Sequence, residues 1–331
     1  MLRAVPARED RRRGPFGKRV ALSVGKAGFK ERTANRKARE ALRAILEEDI
    51  LRVLEAFAVQ IDVEGVSRAA AVGGNMAIAE EAAGLGTLQA NLATVLEENL
   101  SSALDAGSHI GARFAPPAMA GVPPTLVQEQ SAAWLATRSL EAATGITDTT
   151  KEGIRRVLLD QLADAVSPTE AAKEVGRLAG LSPRQATANR NFRSMLERSL
   201  APRPGDMTDT IQAVIDERVE EHRLRLLKER GRAIADTETQ AAIQHGERAF
   251  YEVAADEGAI DPAMIEVRWM TVRDSRVCPI CMPLHGQVIG FLETFHSTDA
   301  PGWEGNGPPA HVRCRCYVEY TNLADTNPTE V

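Results

Sequence analysis

All four cysteines of the chain fall between positions 278 and 316. Two lie in "CPIC", as Cys278-x2-Cys281. Two more lie in "HVRCRC", as His311-x2-Cys314-x-Cys316, after a gap of 29 residues. A C-x2-C pair on a tight turn carries both sulfurs to one side. Positions two apart on a strand share a face. Two such pairs from opposite ends of a small unit can surround one ion, and zinc takes four nitrogen or sulfur ligands in a tetrahedron. The candidate ligands are Cys278, Cys281, Cys314 and Cys316, with His311 able to replace one of the second pair. His285, in a Leu-His-Gly turn, is a lesser candidate. The expected cofactor is a structural zinc. Its binding supplies folding free energy on the order of 10 kcal/mol to a segment whose own core is marginal. Two other chemistries are open to the same residues, a disulfide or redox pair and a Cys–His nucleophile, since His285 follows Cys281 by four positions. C-x2-C plus C-x-C leaves no lone cysteine, however, and no nucleophile context surrounds them.

The rest of the chain must position these groups. It has 331 residues, room for two or three domains, with 44% hydrophobic and only 4% aromatic residues. That balance favours helices packed by Ala, Leu, Ile and Val. The net charge of -6 is unevenly spread. Residues 1–40 hold 13 Lys/Arg against 4 Asp/Glu, and the remainder holds 27 against 42. A basic arm precedes an acidic body, and such an arm can touch nucleic acid or an acidic protein surface, or stay solvated. No stretch approaches the roughly 20 apolar residues of a membrane span, and the Arg-rich start has no apolar signal region. A reducing cytoplasm is the expected setting, where clustered cysteines are more often metal ligands than disulfides.

The expected fold is mainly α: an elongated helical body with a small C-terminal α+β domain, strand-containing and stapled by zinc. Residues 1–33, broken by Pro6, Gly14, Pro15, Gly17 and Gly25, read as a flexible arm. Residues 34–124 read as long helices ending in a Pro/Gly-rich linker. Leu42, Ile45, Leu46, Ile50, Val53, Leu54, Phe57 and Ile61 mark one helical face, and "GSHIGARFAPPAMAGVPP" (107–124) reads as the loop or linker. Residues 125–256 read as a run of short helices. "TTKE" (149–152), "SPTE" (167–170) and "SPRQ" (182–185) have the form of helix starts, Pro168 and Pro183 suit first helical positions, and Gly180 suits a C-cap. Two further helices are expected at about 208–230 and 232–256. Residues 257–331 form the cysteine-rich unit, with strands at "IEVRWMTV", "GQVIGF" and "RCYVEY". His109, His222 and His245 are isolated in the helical body and read as packing or surface residues.

The stretch "RWMTVRDSRVCPICMPLHGQVI" followed by "PPAHVRCRC" resembles the C-terminal signature of the phage head morphogenesis family, the minor head proteins similar to phage Mu protein F. The matching positions are Trp269, Thr271, Asp274, Arg276, Cys278, Cys281, Leu284, Gly286, Pro308, Pro309, His311, Cys314, Arg315 and Cys316. The helix "RAIADTETQAAIQHGERAFYE" (232–252) resembles the family's preceding Ala-Arg-Thr-Glu helix through Ala235, Thr237 and Glu238, with Asp236 where Arg is common. The resemblance spans about 145–320 and is most specific at 269–316. It implies a structural protein of the virion rather than an enzyme. Such a protein lies inside the phage head, after assembly in the host cytoplasm, and is present in several copies. It associates with the portal protein and with major capsid or scaffolding protein, and serves head assembly, DNA packaging or ejection. Asp274 and Arg276 would orient the cysteine turn by hydrogen bonds.

Two alternatives compete with that role. One is a zinc-containing DNA-binding module. The cysteine-rich unit itself is not basic, so DNA contact is expected through residues 1–40, with phosphates rather than base edges as the target. The other is a Cys/His-dependent enzyme or toxin-like protein, for which loss of one cysteine would abolish activity without unfolding.

Overall fold

A computed structural model describes residues 26–71, 76–163, 167–203, 205–272 and 277–325. Most of the basic arm, as well as Asp274 and Arg276, lies outside them. The described chain is mainly helical with a few short antiparallel strands near its end, in agreement with the expected class. Eight helices run α1 (Lys26–Gln60), α2 (Val63–Ala71), α3 (Met76–Ala82), α4 (Leu85–Phe114), α5 (Pro124–Ala163), α6 (Pro168–Leu178), α7 (Pro183–Leu200) and α8 (Asp209–Asp256). Five strands follow: β1 (Ile265–Met270), β2 (Val288–Gly290), β3 (Phe295–His296), β4 (Glu304–Gly305) and β5 (Tyr317–Asn322).

Apolar residues at three- and four-residue spacing decide the packing of the long helices. On α1, Leu46, Ile50, Leu54 and Phe57 are buried, and on α4 so are Leu85, Leu88, Leu92, Leu96, Leu100 and Leu104. α4 makes its most extensive contact with α8, and α1 packs on both. α8 has 48 residues and is about 72 Å long at 1.5 Å per residue. It belongs to two cores. Leu227, Ala235, Ala242 and Ile243 join the helical core, while Phe250, Tyr251, Val253 and Ala254 join Trp269, Leu284, Phe295 and three of the cysteines in a second one.

Several local expectations are corrected. The helices expected at 208–230 and 232–256 are one helix. Gly231 does not break it, because a side chain there would meet Leu51 of α1 at 3.1 Å, so the glycine serves a helix crossing. "GSHIGARF" is the last part of α4 and not a loop. A Cβ at Gly107 would stand 2.1 Å from the Ile243 carbonyl oxygen, and one at Gly246 would stand 2.0 Å from that of Leu104. These glycines let α4 and α8 approach at backbone contact. "TTKE" lies inside α5: the Thr150 hydroxyl donates to the Ile146 carbonyl at 2.8 Å, and that of Thr149 donates to the same oxygen at 2.9 Å. Both hydroxyls also accept from the buried Arg230 guanidinium, at 2.6 Å for Thr149 and 3.0 Å for Thr150. That use displaces capping. The other two helix starts are as expected. Ser167 accepts from the Glu170 N–H, Ser182 forms a full capping box with Gln185, and Gly180 takes φ 81 between α6 and α7.

The three expected strands are β1, β2 and β5, and they form one antiparallel sheet in the order β2-β1-β5. Val267 faces Tyr320 and Trp269 faces Val318 across β1 and β5. Ile265, Val267 and Trp269 alternate inward, as the sequence pattern of a half-buried strand requires. β3 and β4 form a separate two-stranded ribbon.

Candidate metal centre

The "CPIC" turn places its two cysteines by backbone hydrogen bonds. The N–H groups of Cys281 and Met282 donate to the Cys278 carbonyl at 3.2 and 3.1 Å, and the Cys281 N–H also points at the Cys278 sulfur at 3.4 Å. Leu284, fully buried, pins the turn to the sheet. Gly286 takes φ 78 and donates to the Trp269 carbonyl at 2.8 Å, returning the chain to β2. The second pair is delivered by a tighter turn. The Cys314 N–H donates to the His311 carbonyl at 3.1 Å, and Arg313 adopts φ 60, the left-handed region that non-glycine residues rarely enter. β5 starts directly after Cys316.

The fold brings both pairs together. The sulfurs of Cys281 and Cys314 lie 3.8 Å apart. A tetrahedral ion with bonds of about 2.3 Å to sulfur sets its ligand sulfurs roughly 3.8 Å from one another. The donor atoms of Cys281, Cys314 and Cys316 all lie within 4.8 Å of each other, and so do those of Cys278, Cys281 and His311. Cys281 is common to both groups and is thus the centre of the cluster. All four cysteines are free thiols. The Nδ1 atom of His311 donates to the Val312 carbonyl at 2.8 Å, because a carbonyl can only accept. Nε2 then carries the lone pair, the form that ligates a metal. The donor set therefore fits a thiophilic ion such as zinc, and these five residues could hold one. His285 stands apart from these groups, with its Nδ1 accepting the Thr271 N–H at 3.2 Å.

The electrostatics around the sulfurs are uneven. Hydrogen bonds from the Cys281 and Cys316 thiols, then from the backbone N–H groups of Ala310 and Cys316, outweigh burial and hold Cys314 far below the usual thiol range. Cys281 moves the opposite way, because its proton is engaged by Cys314. One thiolate is thus already favoured in a buried trio. The indole N–H of Trp269, fully buried, has no conventional hydrogen-bond acceptor among the described residues. The hydrogen bond from Cys281 lowers the Cys316 thiol and the Trp269 indole adds a little to that, but its bond to Cys314, burial and the charge of Cys314 outweigh both, so Cys316 is pushed above the usual thiol range and keeps its proton.

α8 supports the cluster from behind through residues that spacing alone did not single out. The Gln240 side-chain N–H donates to the Cys316 carbonyl at 3.0 Å, while its oxygen accepts from Arg39 at 2.6 Å. Thr237 accepts the Arg313 N–H at 3.0 Å, and Arg313 in turn donates to the Glu229 carbonyl at 2.9 Å. Asp236 faces Arg43 at 3.4 Å and Arg313 at 3.9 Å. Glu238 turns the other way, into a bidentate pair with Arg138 of α5 at 2.8 and 2.9 Å. Burial pushes its carboxyl up and Arg138 pulls it down. The motif positions 236–238 are therefore the joint between α1, α5, α8 and the cysteine turn. The isolated histidines pack as expected: His245 stacks on Trp134 at 4.0 Å, and His222 on Phe192 at 4.5 Å.

The described residues thus define a helical protein that ends in a cysteine-clustered antiparallel sheet docked on its longest helix. Residues 191–319 match the family model described as Phage Mu protein F like protein. It is the family whose signature the residues from Trp269 to Cys316 resemble. No curated protein and no solved structure matches the chain.

Proposed function

We propose that the chain is a structural minor capsid protein of a tailed phage, acting in head morphogenesis in association with the portal and the inner capsid. The observation that carries this reading is the family match over residues 191–319. The match takes in α8 together with the cysteine sheet, so the unit of resemblance is a helix with its docked knuckle and not a free-standing zinc module. In this reading Cys278, Cys281, Cys314, Cys316 and His311 are the ligands of a structural zinc, four of the five at a time. The ion supplies a fixed crosslink between the two turns. The chain's own residues supply its placement: Gln240 and Thr237 hold the second turn against α8, and Leu284 holds the first against the sheet. This is scaffolding without catalysis.

The partners in this reading are the portal protein, with major capsid or scaffolding protein beside it, in several copies per virion. Contact with packaged DNA supports rather than defines the role, and the head interior is its location. The test is co-expression with the portal protein of the same phage, together with mass spectrometry of purified heads. Co-purification with portal and presence in heads at several copies are expected. Absence from heads, with no portal binding, would remove the proposal.

A further inference from the structure

A cleft of about 1130 Å³ opens where α1, α8 and the second cysteine turn meet. α1 lines it with Arg36, Arg39 and Arg43, and α8 lines it with Arg225, Lys228 and Arg232. Both triplets have the spacing i, i+3, i+7, which sets each on one helical face. Arg313 and Arg315 add two more cations from the cysteine turn.

The acids in the cleft do not neutralise this set. Glu40 pairs with Arg36, Glu47 with Arg43, Glu229 with Arg313, and Asp236 with Arg43 and Arg313. Arg39 is left hydrogen-bonded to the neutral Gln240. Arg225, Lys228 and Arg232 are exposed and make no ion pair among the described residues. In a chain of net charge -6, these three exposed cations, with the half-buried Arg39 beside them, form a local positive field in one concave surface.

The lining also limits the ligand. It includes no Phe, Tyr or Trp, and its aliphatic side chains are Val272 and Val312. Unpaired bases need aromatic platforms, and small organic ligands need mostly apolar walls. Phosphates in a regular row need only cations.

From this we infer that the cleft binds the phosphodiester backbone of duplex DNA without reading its sequence. The duplex as occupant rests on the reading of the chain as a virion protein. The inference moves the main DNA contact from the basic arm to a surface shared by α1, α8 and the cysteine turn, and it gives that turn a second task. The zinc staple would fix the height of Arg313 and Arg315 at the cleft wall.

The experiment uses the full chain and a fluorescent mixed-sequence duplex, with anisotropy followed across a salt series. The variants are Arg225→Gln/Lys228→Gln/Arg232→Gln on α8 and Arg11→Gln/Arg12→Gln/Arg13→Gln in the arm, with folding checked by circular dichroism. Each phosphate contact adds about -0.9 to the slope of log affinity against log salt. The α8 triple should lower the magnitude of that slope by about 2.7 and weaken binding at least roughly tenfold at 0.1 M salt, the arm triple less. Arg225→Lys/Arg232→Lys should bind like the unaltered chain. An α8 triple with unchanged affinity and slope would overturn the inference, and so would loss of all binding in the arm triple alone. So would binding of a fluorescent polyglutamate peptide, lost in the α8 triple, at concentrations where the duplex does not bind, which would assign the cleft to an acidic protein segment. None of these outcomes bears on portal co-purification, so the inference and the virion role fail separately.

Discussion

The hydroxyl of Thr237, on α8, accepts the backbone N–H of Arg313, in the turn between His311 and Cys314, at 3.0 Å. The same hydroxyl donates to the Ala233 carbonyl at 2.8 Å. One side chain thereby ties the left-handed residue of the cysteine turn to the longest helix. The Thr237→Val change keeps the shape and removes both bonds. It should cost about 1–2 kcal/mol and speed zinc loss to a chelator, whereas Thr237→Ser should behave like the unaltered chain. Equal chelation rates for the valine variant and the unaltered chain would show that the turn is held by other contacts.

Metal content separates the ligands. Protein purified without added metal or a histidine tag should carry one zinc per chain by elemental mass spectrometry. Cys281 belongs to both donor groups, so Cys281→Ser should abolish stoichiometric binding and unfold the β2-β1-β5 sheet. His311→Ala should weaken binding without abolishing it. A metal-free chain that stays folded with a disulfide would sink the staple.

The close approach of α4 and α8 predicts opposite outcomes for two glycines. Gly246→Ala drives a methyl into the Leu104 carbonyl, and overpacking of this kind costs about 1–3 kcal/mol. Gly145→Ala, on an exposed face of α5 with nothing within 4 Å, should stabilise by up to about 1 kcal/mol through helix propensity. Thermal unfolding of the two variants checks the sign of each.

Arg230 binds four neutral oxygens, those of Ile146, Thr149, Thr150 and Gly180. Burial lowers its pKa to about 10, so it stays charged at neutral pH. A lysine keeps the charge but cannot span these acceptors. Arg230→Lys should therefore lose about 2–4 kcal/mol, read as a shift in denaturant midpoint at constant slope. A shift below the error of the midpoint would mean that the bonds from α8 to α5 and to the α6–α7 turn contribute nothing net.

Two buried groups set the pH dependence. Burial raises the Glu247 carboxyl to about 8, with Gln244 opposing, and lowers His245 to about 4, with Arg248 adding to the shift. Folded Glu247 keeps a proton that the unfolded chain releases near 4.5, so its stabilisation is present at low pH and is lost as pH rises through about 8. His245 acts in reverse: the unfolded chain takes up a proton near 6.5, so stability falls as pH drops from there towards about 4. The two slopes oppose each other between these limits, and above 6.5 only the decline from Glu247 remains. Melting temperatures from pH 5 to 9 should show that alkaline decline, and Glu247→Gln should flatten it and raise stability at pH 8. A decline of the same steepness in the glutamine variant would assign it to another group.

Much of the site was legible in the sequence because its signals are local. Cysteine spacing, the alternation in β1 and the Ser-Pro helix starts each depend on a few neighbouring residues. The five donors named from spacing are the ones the fold gathers, whereas His285 stays outside. The misjudged segments were those where distant partners overrule local signals. Gly107 looks like part of a linker until α4 and α8 are laid together, Gly231 looks like a break until α1 crosses α8, and Thr149 and Thr150 look like caps until Arg230 claims their hydroxyls.

Periodicity and ligand spacing are properties of short stretches, and they suffice to specify a helical protein with a clustered set of cysteines. That Cys281 is shared by both donor groups, that Gln240 and Thr237 hold the second turn, and that basic stripes nearly two hundred residues apart in sequence face one cleft follows from packing alone. Donors, acceptors and charges act over a few ångströms of space, and the chain reaches those distances once α1, α4 and α8 have packed.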